Sequence, residues 1–448
     1  MGGSAFSSLP DPPFTPRMPG NVYRHMVAAC GNALRELFLC VATPIEGPAK
    51  RDYGDIDMLV ALEKRVIFPK AGEDATPRTP HELMSAIRSI LHAEYAIIHP
   101  TGVSANLAIP WPSNLGELVD EPGAESGTKE KDANPDEGEK TKFIQVDVRI
   151  CPDVHRLCWI LYKHAHGDLW NLIGSTIRPY GLTVDEEALW LRIPEIEPFN
   201  RKMSKVQLTT DPADILHFFG MKVEGYWEKP FNSVDELIEY ATSCRFFQVQ
   251  EAPEGDPDEA GTIGGEEGRK KLKANDRRRM GQREVYRRWI NEYIPSLRAQ
   301  GKFLRRSGHT SIAEARAAVR DEAFARFHVG PEYHVRLREF RLKRDSEQMK
   351  AFIKELIPTD MDPHRRSCLV SAMIKILMED DTSFGPVPVG HRDAEGFYNK
   401  EVARSFIQSN MAEVEKAAWD RQLQRAWEAM QRKALKAAGE TTAREGQS

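Results

Sequence analysis

The chain has 448 residues, 41% of them hydrophobic and 29% charged, with a formal net charge of −5. That length predicts two or more domains, and the composition excludes collagen-like, disulfide-scaffold and wholly disordered chains. No apolar run approaches the ~20 residues of a membrane-spanning helix. The six cysteines show no CxxC spacing, which excludes the common zinc-ribbon and dithiol redox patterns and predicts an intracellular protein, cytoplasmic or nuclear.

Taken in order, residues 1–20 are rich in Pro, Ser and Gly and read as a flexible tail. Met26, Ala29, Leu34 and Leu37 recur at helical spacing and predict a helix over 22–37. Residues 38–42 are continuously apolar, as in a strand covered on both faces, and 56–62 repeat the pattern after a turn-rich connection. Leu83, Ile87, Ile90 and Leu91 form the apolar side of a helix over 80–93. A hairpin follows, with strands at 95–98 and 104–109 flanking His99-Pro100-Thr101-Gly102. Residues 113–142 hold nine acids and four lysines among Gly, Pro, Ser and Thr, the composition of a disordered insertion. An apolar strand is expected immediately after it, at 143–150.

Downstream, the pattern predicts a helix over 154–166, a strand over 188–193, and helices over 212–219 and 234–241. Thr210 or Asp211 can cap the first of these last two, with Pro212 in its opening turn. Residues 251–268 are acidic and Gly-rich and read as a linker. The chain beyond is helical and basic: residues 269–344 carry 22 Lys/Arg against 8 Asp/Glu, a net charge of +14. The expected domains are an α/β domain over 21–160, a mainly helical domain over 161–250, and a basic helical region over 269–440. The final helix, over 410–438, lacks a sustained heptad.

Three acids carry the chemistry. Asp55 and Asp57 stand two apart in Tyr53-Gly54-Asp55-Ile56-Asp57-Met58-Leu59-Val60, and Asp147 lies in Phe143-Ile144-Gln145-Val146-Asp147-Val148-Arg149-Ile150. Residues two apart on a strand share a face, so Asp55 and Asp57 point together, and a neighbouring strand can bring Asp147 beside them. Crowded carboxylates repel one another unless a cation neutralises them, and Mg²⁺ prefers such hard oxygen ligands together with phosphates.

Residues 39–60 and 143–150 resemble the nucleotidyltransferase superfamily that includes DNA polymerase beta, poly(A) polymerases, CCA-adding enzymes and aminoglycoside nucleotidyltransferases. The resemblance lies in a strand, a turn, an Asp-x-Asp strand and a later strand bearing a third carboxylate. It implies an α+β fold, with a nucleotidyltransferase-like mixed sheet, flanking helices and a mainly helical C-terminal region. It further implies that Asp55, Asp57 and Asp147 bind two Mg²⁺ ions and transfer a nucleoside monophosphate from an NTP to a hydroxyl of RNA or a small molecule. Where the family has Gly-Ser, this chain has Ala42-Thr43; Thr43, Gly47, Lys50 and Arg51 are then the nucleotide-binding candidates. The other reading is a non-catalytic scaffold of the same fold that binds RNA or protein.

Other constellations divide between chemistry and structure. His155, His164 and His166 fit no established zinc spacing, which favours a structural role. Trp170, Asn171 and Ser175 suit either a base-stacking site or a core helix. Arg277, Arg278, Arg279, Arg283, Arg287 and Arg288 interleave with Tyr286, Trp289 and Tyr293. They read either as an RNA-binding surface within 269–344 or as the solvated face of a helix whose aromatic residues enter the core.

Overall fold

A computed structural model describes residues 4–48, 50–70, 75–112, 141–250, 283–305 and 311–445. The chain forms two compact units, Met1–Pro194 with Arg201–Val329, and Glu195–Asn200 with Gly330–Ser448. The boundary expected at 160/161 has no counterpart, because residues on both sides of it belong to the first unit. The insertion expected over 113–142, apart from 141 and 142, and the linker expected over 251–268 lie outside the described residues.

The first unit is built on a mixed five-stranded sheet. Helix α1 (Gly20–Leu37) leads into β1 (Phe38–Ala42), which pairs antiparallel with β2 (Ile56–Glu63). Helix α2 (Pro80–Ile90) starts on a capping box between Thr79 and Glu82 and leads to the hairpin of β3 (Tyr95–Ile98) and β4 (Ser104–Pro110). Strand β5 (Phe143–Ile150) then inserts between β2, to which it is parallel, and β4, to which it is antiparallel. The order across the sheet is β1-β2-β5-β4-β3. This places β1 at an edge; Val41 packs on one side of the sheet and Cys40 and Ala42 on the other, as a strand covered on both faces requires, while Leu39 is exposed.

Strand parity distributes the side chains. Ile56, Met58 and Val60 of β2 and Ile144, Val146 and Val148 of β5 are buried with Val22, Met26 and Leu34 of α1 and Met84 and Ile87 of α2. On the opposite face, helix α3 (Val154–His164) covers only part of the sheet, packing Leu157 and Ile160 on Leu59 and Ala61. The rest of that face carries the acids.

Residues 4–19 are not a free tail. Phe6 is 1% exposed and packs with Ala108 and Phe143, while Met18 is 0% exposed. Phe143 N donates to Phe14 O at 2.8 Å, and Met18–Pro19 pairs antiparallel with Asp52–Tyr53. Two widely spaced apolar anchors therefore fasten a segment whose overall composition resembles a tail.

The remainder of the first unit includes helix α4 (Leu169–Ile177) and an antiparallel three-stranded sheet of β6 (Leu182–Val184), β7 (Leu189–Arg192) and β8 (Lys205–Thr209). Only its middle strand was expected from the sequence. Helices α5 (Pro212–Phe218) and α6 (Val234–Thr242) stand where the pattern predicts them. Asp211, not Thr210, supplies the cap of α5 by accepting from Asp214 N at 2.9 Å. Tyr286 and Trp289 are buried, and Arg288 pairs with Asp235 and Glu292, as the core reading of that region requires. Arg277, Arg278 and Arg279 lie outside the described residues.

The second unit is helical. Helices α7 (Gly330–Leu356), α8 (Pro363–Glu379) and α9 (Lys400–Glu445) share a core that includes Met349, Ile353, Leu369, Met373, Ile376, Ile407 and Val414. Among the described residues, no helix is long and apolar enough to cross a membrane.

Candidate active site

The register of three adjacent strands assembles the site. Asp57 of β2 is the Cα partner of Asp147 of β5, and Asn106 of β4 is the partner of Asp147 on its other side. Partners across a sheet share a face, so the three side chains form one row; Asp55 lies just before β2, where the charge of Asp147 reaches it. The row opens on a cavity of about 390 Å³ whose lining includes Pro44, Asp57, Asn106, Asp147, Arg149 and His164.

These carboxylates hold their protons unusually tightly. Burial pushes Asp55 up to about 6, with the charge of Asp147 adding to it and Lys50 opposing. Asp57 is exposed at the cavity, yet the surrounding protein partly desolvates it, and this, reinforced by Asp55 and Asp147, pushes it up to about 7 against the pull of His164. Burial also raises Asp147, while the amides of Asn106 and Gln145 restrain the rise. Asn106 Nδ2 and Gln145 Nε2 both donate to Asp147 Oδ1, at 2.6 and 2.8 Å.

The rim carries further charge. Glu186 accepts from Arg149 Nη1 at 3.0 Å and lies 3.1 Å from His164 Nε2. The hydrogen bond with His164 is the main reason that its carboxyl falls to about 2. Glu46 lies in the connection after β1, and its charge raises both Asp55 and Asp57.

The expected nucleotide-binding residues are arranged differently from a simple open turn. Lys50 is paired with Glu46, which also accepts from the Tyr23 phenol at 2.6 Å, and Tyr23 stacks on Tyr53 with centroids 3.8 Å apart. The Thr43 hydroxyl is buried without a partner at full hydrogen-bonding geometry, although the Tyr23 phenol lies close enough to feel it. Gly47 packs on another loop: a Cβ there would stand 3.4 Å from Gly167 Cα, and His166 N donates to Ile45 O at 2.7 Å. Gly167 has φ +64, so the two glycines allow a close backbone approach. Arg51 is exposed.

The donor set suits a hard divalent cation: three carboxylates in one electrostatic field, with excess negative charge and raised proton affinity. As the side chains stand, no group of three His, Cys, Asp or Glu among the described residues already forms a metal-holding cluster. Asp57 and Asp147 share a cavity rather than a finished coordination shell.

The histidines separate. His166 is fully buried, its Nε2 2.7 Å from Tyr226 O, and burial lowers its basicity. His155 and His164 are exposed. Trp170 is core, donating from Nε1 to Tyr162 O and to the Tyr226 hydroxyl, both at 2.9 Å. Asn171 donates to Asp168, and Ser175 to Leu172 O.

Sequence reasoning missed Asn106, Gln145, Glu46 and Glu186, and read His164 as structural rather than as a zinc ligand, not as part of this cavity. A neutral amide on a strand carries no signature until its cross-strand partner is known. Glu46 was visible within the turn but had no counterpart in the motif.

Compared with known proteins, the chain matches no protein-family profile and no curated protein. The candidate site therefore rests on its own geometry.

Proposed function

We propose that this protein is a Mg²⁺-dependent nucleotidyltransferase that moves a nucleoside monophosphate from an NTP to a hydroxyl acceptor. The carrying observation is the register of Asp57 beside Asp147 on adjacent parallel strands, with both lining one cavity. Fold alone does not fix chemistry, so the reading rests on these side chains.

Asp55, Asp57 and Asp147 would hold two Mg²⁺ ions, which supply charge neutralisation, acidify the acceptor hydroxyl and stabilise the leaving group. The acceptor oxygen bonds to the α-phosphorus as the bond to the β-phosphate oxygen breaks, and pyrophosphate leaves with that electron pair. Asp147, whose proton affinity is raised, is suited to receive the hydroxyl proton. Arg149 and His164 line the cavity, and both are bonded to Glu186, so either would meet a phosphate oxygen by exchanging that partner. Asn106 orients Asp147 throughout.

The purified chain, incubated with each NTP, Mg²⁺ and either RNA or a small polyhydroxyl acceptor, is expected to release pyrophosphate. No release by the wild type, or equal release by Asp57→Asn, overturns the proposal.

One observation favours a second reading, a non-catalytic scaffold. Lys50 is engaged by Glu46, and the Thr43 hydroxyl is buried, so the turn offers little to a triphosphate. On that reading, RNA or protein binding is indifferent to Asp57→Asn, and Mg²⁺ with NTP gives no thermal stabilisation.

A further inference from the structure

The site face has a second boundary that the three acids do not explain. At one end it is closed by α3, and at the other by the N-terminal segment, where Phe6 sits on Ala108 and Phe143. Gln145 lies between, 3% exposed, on the same face of β5 as Asp147. A primary amide has one accepting oxygen and one donating nitrogen, and both are used here. Ala5 N donates to Gln145 Oε1 at 3.1 Å, and Gln145 Nε2 donates to Asp147 Oδ1 at 2.8 Å.

The backbone N–H of Ala5 can only donate, so it requires the oxygen of Gln145, which turns the nitrogen toward Asp147. A reversed amide would set its nitrogen against the Ala5 N–H and its oxygen against the carboxylate, donor facing donor and acceptor facing acceptor. Gln145 and Asn106 together occupy Oδ1 of Asp147, which leaves Oδ2 free of these two donors.

We infer that the N-terminal segment is a built part of the candidate active site, in which Ala5, through Gln145, orients the Asp147 carboxylate for cation binding. Gln145 and Asn106 are positioning residues. The inference rests on the proposed metal-dependent function, because its consequence is read at the cation site. Outer partners of metal ligands commonly carry 10–100-fold in affinity.

Mn²⁺ binding to the full chain, followed by electron paramagnetic resonance with Mn²⁺ as the probe, tests this in folded protein checked by circular dichroism. Asp147→Asn is expected to lose binding. Gln145→Met keeps the length of the side chain but removes the donor, and is expected to weaken Mn²⁺ by about 10–100-fold. Ala5→Pro removes the N–H and leaves the Phe6 side chain unchanged; because Ser4 before it stands at ψ 7, a conformation disfavoured before proline, its urea midpoint is compared with that of the wild type. It is expected to weaken Mn²⁺ several-fold. Both variants should also move the pH dependence of binding upward, because Asp147 loses a donor, or the anchor of a donor, that lowers its proton affinity; a packing defect alone would not do this.

If wild type binds Mn²⁺ and Asp147→Asn does not, yet Gln145→Met and Ala5→Pro bind with unchanged affinity and pH profile, the brace is wrong and the metal site stands. If Gln145→Met fails to fold, Ala5→Pro alone decides between these outcomes. If wild type binds no Mn²⁺, or Asp147→Asn binds it equally, the metal site and the brace fall together.

Discussion

The two faces of the central sheet use the same strands for opposite purposes. On one face Ile56, Met58, Val60, Ile144, Val146 and Val148 are each at most 2% exposed beneath α1 and α2. On the other, one residue out of phase, stand Asp57, Gln145, Asp147 and Arg149. Each fully buried apolar side chain contributes roughly 1.5–3 kcal/mol, whereas adjacent carboxylates in a walled cavity oppose the fold. The apolar face thus supplies the stability that holds mutually repelling acids in register. Separating scaffold from chemistry by strand parity also makes the two experimentally separable.

The largest expected effect is on turnover. Asp57→Asn and Asp147→Asn should each lower pyrophosphate release by about three orders of magnitude, the scale seen when a preorganised charge-stabilising group is removed. Neither should lower the urea midpoint. A loss of activity that tracks a loss of fold would break the comparison.

Met58→Ala probes the opposite face. Truncating a buried methionine costs about 2–5 kcal/mol, read as a lower urea midpoint. Mn²⁺ affinity of the protein that remains folded should stay within about twofold, since mutations without shared partners act independently.

Cation affinity should also depend on pH. Asp55 and Asp57, raised to about 6 and about 7, are protonated in part at pH 6 and largely ionised at pH 8. Protons then compete with the ion, so calorimetric titration should find Mg²⁺ binding about tenfold weaker at pH 6 than at pH 8.

The smallest effect is on stability. The folded chain holds the Asp57 proton more tightly than the unfolded chain does. That contribution is complete below about pH 4 and is lost as pH rises through about 7. Above that pH the charge opposes the fold. Asp57→Asn should therefore raise stability at pH 8 by ~1 kcal/mol, allowing for solvent contact of the carboxylate, with no gain at pH 4. Thermal melts at the two pH values check this. A gain that persisted at pH 4 would show that electrostatics is not its source.

Much of the first unit was legible because period-two and period-3.6 patterns act locally. The hairpin, the acid-bearing strands and α1 all stand within a few residues of expectation. The N-terminal segment was not legible: Phe6 and Met18 are isolated in a Pro-rich stretch, and their placement depends on surfaces more than a hundred residues and 35 residues away, respectively. Nor was the edge position of β1, since an apolar run does not reveal how many neighbours its strand has.

The amino-acid sequence by itself determined which residues could share a face. Asp55 with Asp57, and Gln145 with Asp147, follow from the two-residue repeat of an extended chain. Only the tertiary structure decided that Asp57 meets Asp147, that Asn106 and Gln145 hold the latter, and that Lys50 is engaged by Glu46. Spacing along one strand is a local property of backbone geometry, whereas register between strands is set by packing the whole sheet.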